Sequence, residues 1–280
     1  MIDLATSTYY YRARANEARA KENADLRDRL EELALRFPRY GYRRMTAQLR
    51  REGWPVNRKR ILRLMRESDL LVRRRRRFVR TTDSNHKLPV FPNLLENFRP
   101  TGIDQVWVSD ITYIRIRTGF AFLATILDAF SRKVVAWSLS KNLGAELVHA
   151  ALVAAWESRR PGPGLIFHSD RGSQYCSSLV IEQARDQYGM RISMSRKGNP
   201  YDNPIAESFF KTLKDEEIYL LDVLSYEELA SRLPEYINGI YNTERLHSAL
   251  GYLPPAEFEA ELTNRGTAGN VTTEGSSVPV

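Results

Sequence analysis

The chain has 280 residues, of which 42% are hydrophobic and 27% are charged, as is typical of a globular protein with about two domains. No apolar stretch approaches the roughly 20 residues that a membrane-spanning helix needs, and the first residues lack the order of a secretory signal, so we expect a cytoplasmic protein. Cys176 is the only cysteine, which excludes an internal disulfide and a zinc cluster built on several cysteines.

The positive charge is concentrated in the first third of the chain. The whole chain has a net charge of +8, but residues 1–80 hold 23 basic and 10 acidic residues, so that the remainder is mildly acidic. Neutralising phosphates releases counterions and gives affinity without sequence reading. A basic region on an acidic body therefore indicates nucleic-acid binding, with a solvated, charge-rich helical segment as the alternative.

Helical periodicity predicts three helices in this basic region. The first, 16–37, carries apolar side chains at helical spacing, namely Leu26, Leu30, Leu33 and Phe37. The second, 43–52, ends at a Gly-Trp-Pro turn, and Asn57 is placed to cap the third, 58–68. A helix, a short turn and a basic helix form the outline of a helix-turn-helix.

The third helix is the predicted DNA contact of this region, 1–80. Exposed cations on such a helix suit a groove or the backbone phosphates, and an uninterrupted arginine run follows at 73–77. A helix pair with these charges could instead dock a protein. The candidate DNA-binding residues on the helix are Arg58, Lys59, Arg60 and Arg63.

After a linker predicted at 81–100, the period of the apolar residues changes from 3.6 to 2, which indicates strands. The expected order is a three-strand meander, then helix, strand, helix, strand and two more helices. This order predicts an α/β domain over 101–262, with a mixed five-stranded sheet flanked by helices, because parallel crossovers need helices and hairpins do not. The expected strands are 106–116, 120–127, 132–139, 165–168 and 190–194. The expected helices are 145–156, 178–187, 204–217 and 225–240, and 263–280 is expected to be a disordered tail.

Three acids lie at positions where burying a charge is unfavourable unless the charge has a partner or a function. Asp110 lies in a largely apolar strand, Asp170 ends a short buried strand, and Glu207 lies in the first turn of a helix. If the two strands are neighbours and the helix packs across them, the carboxylates converge and repel one another unless divalent cations neutralise them. Carboxylate oxygens favour Mg²⁺ or Mn²⁺, and two such ions would activate an attacking oxygen and stabilise a leaving one at phosphorus. Taken singly, each acid could instead be a cap or an ion-pair partner.

The segments around these acids resemble a known family. They read WVSDITY at 107–113, HSDRGSQY at 168–175, and SRKGNPYDN at 195–203, followed by ESFF at 207–210. These strings resemble the catalytic core of the DDE transposases and retroviral-type integrases, and most closely the OrfB product of bacterial insertion sequences of the IS-three group. The likeness continues in YGYRR at 40–44 and in 241–252, and so covers nearly the whole chain.

The resemblance implies an RNase H-like core in which Asp110, Asp170 and Glu207 are the catalytic and metal-binding triad for two Mg²⁺ or Mn²⁺ ions. It implies a DNA transposase that cleaves transposon ends and transfers the freed strand to target DNA, as a homo-oligomer on DNA in the bacterial cytoplasm, at the nucleoid. The family's upstream reading frame, OrfA, supplies a further helix-turn-helix and a leucine zipper, so a partnership or fusion with OrfA is expected. Lys211 and Lys214 share a helical face with Glu207 and are expected to bind the phosphates of the DNA end.

Two features differ from the family pattern. Between Asp170 and Glu207 lie 36 residues, about one more than the usual spacing, and we place the extra residue in the helix before Gly189. The His/Cys zinc module that precedes the core in retroviral integrases is not expected here, since only His86 precedes Asp110. This favours the bacterial branch.

Other polar residues of the core are expected to be structural. Asn203 is placed to cap the helix that starts at Pro204, and Ser225 with Glu228 forms a capping-box pattern. His168 either orients Asp170 or is a buried structural histidine. Roles in turns or near helix ends are expected for Asp202, Asp128, Ser131, Arg132, Arg245 and His247.

Two other functions remain open at this point. An RNase H-like nuclease would cut DNA without joining it, and a DNA-binding regulator would carry an inactive core, although all three acids are present. Tyrosine or serine recombination is disfavoured, because no Tyr or Ser has a convincing activating cluster around it.

Overall fold

The structure is a computed structural model that describes residues 17–72, 88–196 and 202–270. The chain divides into two compact units, 1–76 and 77–280, and each is described by itself. The arginine run at 73–77 and His86 lie outside the described residues. In the three described ranges, no helix combines the length and the apolar character that a membrane crossing requires.

In residues 17–72, the described part of the first unit, there are three helices, as predicted. They are α1 (Glu17–Arg36), α2 (Tyr42–Arg51) and α3 (Arg58–Glu67). Asn57 caps α3, because its Oδ1 accepts a hydrogen bond from Lys59 N at 2.8 Å. The four apolar residues predicted for the face of α1 are buried, and so are their counterparts on α2 and α3, namely Met45, Leu49, Ile61, Leu64 and Met65. The amphipathic pattern therefore identified the core of this unit correctly.

The second unit is built on a mixed five-stranded sheet in the order β3-β2-β1-β4-β5. β1 to β3 form an antiparallel meander, β4 runs parallel to β1, and β5 runs parallel to β4. This is the RNase H-like topology that the resemblance implied, and it puts β1 at the centre with β4 beside it. The strands are β1 (Val106–Ile116), β2 (Gly119–Asp128), β3 (Val134–Ser140), β4 (Ile166–Ser169) and β5 (Arg191–Met194).

Helices cover both faces of the sheet with separate apolar cores. On one face pack α4 (Ala145–Arg159) and α5 (Ser178–Ile181), which continues as a π-helix at Glu182–Gln187. On the other face pack α6 (Pro204–Glu216) and α7 (Tyr226–Pro234), which continues as a π-helix at Glu235–Tyr241. The predicted capping box of α7 is present at Ser225 and Glu228.

The π-helix that follows α5 lies where the sequence analysis placed the extra residue. A π-helix closes its hydrogen bonds over one more residue than an α-helix. The segment Glu182–Gln187 precedes Gly189, which has a φ of 64° and ends the helical stretch before β5. A π-helix can take up one added residue without shifting the strands on either side of it, and the place of the extra residue stays a prediction.

Two segments are more ordered than the sequence analysis indicated. In the part of the predicted linker that is described, Phe91 and Leu95 pack on the core, and Leu94 N donates to Ser193 Oγ at 2.9 Å. The last helix, α8, spans Pro255–Asn270, so the prediction of disorder is wrong for 263–270, while 271–280 lie outside the described residues.

Tertiary contacts at the start of α8 explain this difference. Glu259 is almost fully buried and binds Arg159 at 2.7 Å, Lys133 at 2.9 Å and Ser131 at 2.7 Å. Once a helix is nucleated in this way, extending it by further residues costs little. The weak helix formers after Thr263 therefore follow a helix that is already anchored.

Candidate active site

Asp110 and Asp170 lie side by side at the centre of the sheet. The parallel pairing of β1 with β4 aligns Val108 with His168, and each aspartate follows two residues later, Asp110 within β1 and Asp170 just after the end of β4. Because parallel strands keep their register, both carboxylates reach the same edge of the β1–β4 pair. The sequence prediction that the two strands are neighbours is confirmed.

Backbone amides hold one oxygen of each carboxylate. Asp110 Oδ1 accepts a hydrogen bond from Ile111 N at 2.8 Å, and Asp170 Oδ1 accepts one from Gly172 N at 2.8 Å. A Cβ atom at Gly172 would lie 3.0 Å from Asp170 Oδ1, which is too close for an ordinary contact. Glycine at this position therefore allows the backbone to approach the Asp170 carboxylate.

Burial, followed by the neighbouring carboxylates, determines the electrostatics of the site. Burial, the facing charge of Asp170 and the charge of Glu207 raise the pKa of Asp110 to about 8, against the opposing effects of the Ile111 amide and of Lys214. A carboxyl group so far from its usual pKa shares its environment with other carboxylates that are only partly compensated. Such a site favours an added cation.

Glu207 completes the predicted triad from the first turn of α6. It is close enough for its charge to raise the pKa of Asp110, but its side chain is exposed, and partial burial raises its own pKa. Within the described ranges, no three His, Cys, Asp or Glu side chains are arranged to hold a metal ion. The structure thus pairs the two strand-borne aspartates and leaves Glu207 at their side.

The two lysines predicted to bind DNA differ in their surroundings. Lys214 is partly buried, which lowers its pKa, while the nearby carboxylate of Asp110 opposes that shift. Lys211, one turn earlier on α6, is exposed. Lys214 therefore stands next to the acids, and Lys211 is open to a partner from solvent.

His168 is buried and bound to two serine side chains. Its ring nitrogens form hydrogen bonds with Ser193 Oγ at 2.8 Å and Ser195 Oγ at 3.1 Å, and burial lowers the pKa of His168 to about 4. Of the two alternatives for His168, its contacts and its burial support the buried structural role. The hydrogen bond to Ser193 connects His168 in β4 to the adjacent strand β5.

Sequence reasoning missed two tyrosines near the acids. Tyr175 is fully buried and shares a 2.9 Å hydrogen bond with Ser109 Oγ, and its pKa is raised by burial and by Asp110 and Asp170. Burial and the charge of Asp170 raise the pKa of Tyr113 as well. Their nearness to Asp110 and Asp170 along the chain was the available signal.

The predicted cap of α6 is wrong at its side chain. Asn203 makes no side-chain capping bond; instead its Nδ2 donates to Ser109 O at 3.0 Å. Asp202 does have the predicted turn role, because its carboxylate accepts hydrogen bonds from Arg196 N at 2.7 Å and from the Arg196 guanidinium. Tertiary contact with β1 has replaced the local cap.

The other polar residues expected to be structural lie in turns or near helix ends, as predicted. Asp128 closes the turn between β2 and β3, since its Oδ1 accepts from Phe130 N and Ser131 N at 2.8 Å. Arg132 adopts a positive φ of 64° in that turn. Arg245 donates two hydrogen bonds of 2.7 Å to Glu216 at the end of α6, and the ring of His247 packs edge-on against Tyr241.

The cations of α3 divide into two groups. Arg58, Lys59 and Arg63 are exposed, and Arg63 lies 3.5 Å from Glu67. Arg60 points back to α1, where its guanidinium donates to Asn23 at 2.7 and 2.9 Å and to Glu22 at 2.8 Å. Arg60 therefore joins two helices, and its predicted contact with DNA is not supported by its placement.

Comparison with known domain families gives matches along most of the chain. Residues 21–78 match an HTH-like domain, and residues 100–200 match an integrase core domain. A second family, also described as an integrase core domain, matches residues 188–255. The two core matches cover β1 to β5, α6 and α7.

Several curated bacterial proteins are similar over most of their length. The chain is 44% identical over 220 residues to the insertion element IS600 uncharacterized 31 kDa protein of Shigella sonnei, covering 78% of this chain and 80% of that protein. It is 40% identical over 222 residues to the transposase for insertion sequence element IS904 of Lactococcus lactis, covering 79% and 87%. It is 41% identical over 223 residues to transposase InsF for insertion sequence IS3A of Escherichia coli, covering 79% and 77%.

Solved structures with lower sequence identity also match. The catalytic core domain of BIV integrase is 18% identical, with a TM-score of 0.44, over 59% of this chain and 99% of that chain. The HTLV-2 integrase catalytic core domain in complex with magnesium is 15% identical, with a TM-score of 0.44, over 57% and 99%.

Proposed function

Since the chain belongs to the insertion-sequence transposases that carry an HTH-like domain and an integrase core domain, we propose that it cleaves DNA at the ends of its element and joins the freed 3′ hydroxyl to target DNA. One observation carries this proposal. Asp110 in β1 and Asp170 at the end of β4 lie at matching positions of two adjacent parallel strands. Burial and the charges of Asp170 and Glu207 raise the pKa of Asp110 to about 8.

The residues of the site fit divalent cations. All three candidate ligands are carboxylates, and burial together with the charges of Asp170 and Glu207 raises the pKa of Asp110. Oxygen donors with excess negative charge favour Mg²⁺ or Mn²⁺. Asp110, Asp170 and Glu207 would hold two such ions, which lower the pKa of an attacking oxygen and stabilise charge on a leaving one when bound.

The side chains around the acids have the remaining tasks. Lys211 is exposed on the helix of Glu207 and would bind a backbone phosphate, while Lys214 beside Asp110 would bind the phosphate nearest the reaction. The Ile111 and Gly172 amides hold one oxygen of each aspartate and so fix the orientation of the two carboxylates. No covalent bond between protein and DNA is required in this scheme.

The first unit would supply affinity for DNA through exposed cations. Arg58, Lys59 and Arg63 line the surface of α3, and each phosphate contact adds a salt-dependent increment to binding. We also propose that the protein acts as a homo-oligomer on DNA in the bacterial cytoplasm, together with the OrfA product or fused to it. Cleavage and joining at two ends need two active sites, which one copy of this core does not provide.

The test is a joining assay with a short duplex of the element end and a supercoiled plasmid, in Mg²⁺ or Mn²⁺, with and without the OrfA product. We expect plasmid carrying covalently attached end DNA, and no product in excess chelator or with Asp170→Asn. Cut ends without joined product would instead support an RNase H-like nuclease. Retained end binding with no metal-dependent chemistry under any of these conditions would support a DNA-binding regulator.

A further inference from the structure

The residue just before α6 connects Glu207 to the strand that carries Asp110. Asn203 Nδ2 donates to the carbonyl oxygen of Ser109 at 3.0 Å, and Ser109 immediately precedes Asp110. The carbonyl oxygen of the same Asn203 accepts the first helical hydrogen bond from the backbone N–H of Glu207, at 3.3 Å. One residue therefore holds β1 with its side chain and Glu207 with its backbone.

The contact between Asn203 and Ser109 takes the place of an ordinary helix cap. An asparagine before a helix usually accepts a hydrogen bond from a backbone amide of the first turn, but the Asn203 side chain makes no such bond. Asn203 is 7% exposed, and its Oδ1 has no hydrogen-bond partner among the described residues. A buried acceptor without a partner is unfavourable. A flipped amide would place Oδ1 against the Ser109 oxygen, so the donor contact fixes the orientation.

A second contact connects the start of α6 to the strand that carries Asp170. Asp202 accepts hydrogen bonds from Arg196 N at 2.7 Å and from Arg196 Nη2 at 2.9 Å. The residue before Arg196 is Ser195, whose backbone N donates to Ser169 O at 2.9 Å, and Ser169 immediately precedes Asp170. The first contact thus ends at the residue just before Asp110, and the second reaches the residue just before Asp170 through Arg196 and Ser195.

From this arrangement we propose that Asn203 and Asp202 are positioning residues that set where Glu207 stands relative to Asp110 and Asp170. The inference rests on the proposed function, because it assumes that the three carboxylates act on a common metal site. Glu207 is exposed on its helix, so its place depends on where that helix begins. Displacing a group at such a site by about 1 Å can cost about 100-fold in rate.

We expect the Asn203 contact to affect metal binding more than the Asp202 contact does. Asn203 acts directly, because it binds Ser109 and the Glu207 N–H. Asp202 acts through Arg196, whose side chain is 53% exposed, and exposed ion pairs contribute little. Removing the Asn203 amide should therefore weaken metal binding about 10-fold, as loss of an orienting partner does at metal sites, and Asp202→Asn should weaken it less.

The experiment measures Mn²⁺ binding to the full chain by calorimetry, and joining as a function of Mn²⁺ concentration with saturating end duplex. The variants are Asn203→Ala and Asp202→Asn. The matched control is Ser225→Ala, which removes a conventional cap at the start of α7, where Ser225 Oγ accepts from Glu228 N at 3.1 Å. Thermal unfolding of each variant reports whether it is folded.

We expect Asn203→Ala to raise the Mn²⁺ dissociation constant and the midpoint of the activity curve about 10-fold, with an unchanged KM for DNA. Ser225→Ala should lower the unfolding temperature without changing either Mn²⁺ value. If Asn203→Ala does not fold, Asp202→Asn tests the inference. We expect it to raise the Mn²⁺ dissociation constant by a smaller factor.

Mn²⁺ affinity in Asn203→Ala and Asp202→Asn equal to that of the wild type would overturn the inference. So would equal changes in Asn203→Ala and Ser225→Ala, because the effect would then be one of stability. Failure of the proposed function has a different signature. In that case the wild type itself would bind no Mn²⁺, or Glu207→Gln would bind it as tightly as the wild type.

Discussion

The two units of this protein use charge in opposite ways. In the first unit, α3 buries its apolar side chains in the core and exposes cations to solvent. In the second unit, the topology of a buried sheet brings Asp110 next to Asp170, with Glu207 near enough to raise the pKa of Asp110. Phosphate contacts on a surface add up one by one, whereas carboxylates of one site act together or not at all.

This difference predicts how each unit tolerates change. Replacing one exposed cation of the first unit removes one contact among several. Replacing one acid of the second unit removes a member of a set that has no substitute. The comparison therefore predicts large effects on chemistry from the core and small, salt-dependent effects on binding from α3.

The largest expected effect is that of Glu207→Gln. The amide keeps the shape of the side chain, so the packing of Phe210 and Leu213 on the same helix is expected to be retained. The charge that would bind the metal is lost, so we expect joining to fall by at least about 100-fold, with end binding retained. Joining is measured with preprocessed ends at saturating DNA, and end binding by gel shift.

A matched control for Glu207→Gln is Glu227→Gln. Glu227 also lies in the first turn of a helix, but it is exposed, and its carboxylate lies 3.5 Å from Lys141 Nζ. Joining should stay within about twofold of the wild type, since exposed ion pairs contribute little. A wild-type rate for Glu207→Gln would remove this residue from the site.

The next effect is a pH dependence of metal binding. The pKa of Asp110 is raised to about 8, so a divalent cation must displace a proton from this carboxyl group at neutral pH. Below pH 8, Mn²⁺ affinity should rise about tenfold for each pH unit, as expected for the release of one proton, and it should level off above pH 8. Calorimetry in buffers of different ionisation heat counts the released proton. A Mn²⁺ affinity that does not change from pH 6 to 8 would contradict the raised pKa of Asp110.

A smaller effect concerns stability without divalent cations. The folded-state pKa of Asp110 lies above its unfolded value, so the carboxyl group disfavours folding increasingly as the pH rises from about 4 towards 8. Asp110→Asn should therefore stabilise the fold, by roughly 1 to 2 kcal/mol at pH 8 and by less at pH 5. Thermal unfolding in chelator at the two pH values measures this difference.

The control for stability has the opposite sign. Asp186 is exposed, and its pKa is lowered by Arg185, so Asp186→Asn should bring no gain that increases with pH. If Asp110→Asn destabilises the protein equally at both pH values, the Asp110 carboxyl is not in a strained environment.

The smallest effect separates two neighbouring cations of α3. Lys59 is exposed, whereas Arg60 is bound to Asn23 and Glu22. Lys59→Gln should reduce the slope of log affinity against log salt by about 0.9, the value for one phosphate contact, without changing the unfolding temperature. Arg60→Gln should lower the unfolding temperature and leave the slope unchanged; the reverse pattern would show that Arg60 faces DNA.

Much of the fold follows from periodicity alone. Strand β1 was predicted with its observed bounds, because its apolar pattern has no helical counterpart. The approach of Asp110 to Asp170 was predicted on the condition that the first and fourth strands are neighbours, and the sheet order meets that condition. The candidate residues were therefore visible in the sequence, as acids in or next to apolar strands.

The features that were missed all depend on partners far away in the chain. Asn203 binds a carbonyl group 94 residues earlier, and Arg60 binds Asn23, 37 residues earlier. Local rules assign the first residue to a helix cap and the second to an exposed basic face. The helix beyond Thr263 was missed for the same reason, since Glu259 is anchored by Arg159, 100 residues before it.

The central claim is that Asp110, Asp170 and Glu207 form one metal site. The most direct measurement is anomalous diffraction at the manganese edge from crystals of the protein bound to its end duplex in Mn²⁺. We expect anomalous peaks between Asp110 and Asp170, at about 2.0 to 2.3 Å from carboxylate oxygens, with Glu207 as a further ligand. Bound DNA with no peak at this position, or Mn²⁺ held only elsewhere on the protein, would contradict the claim.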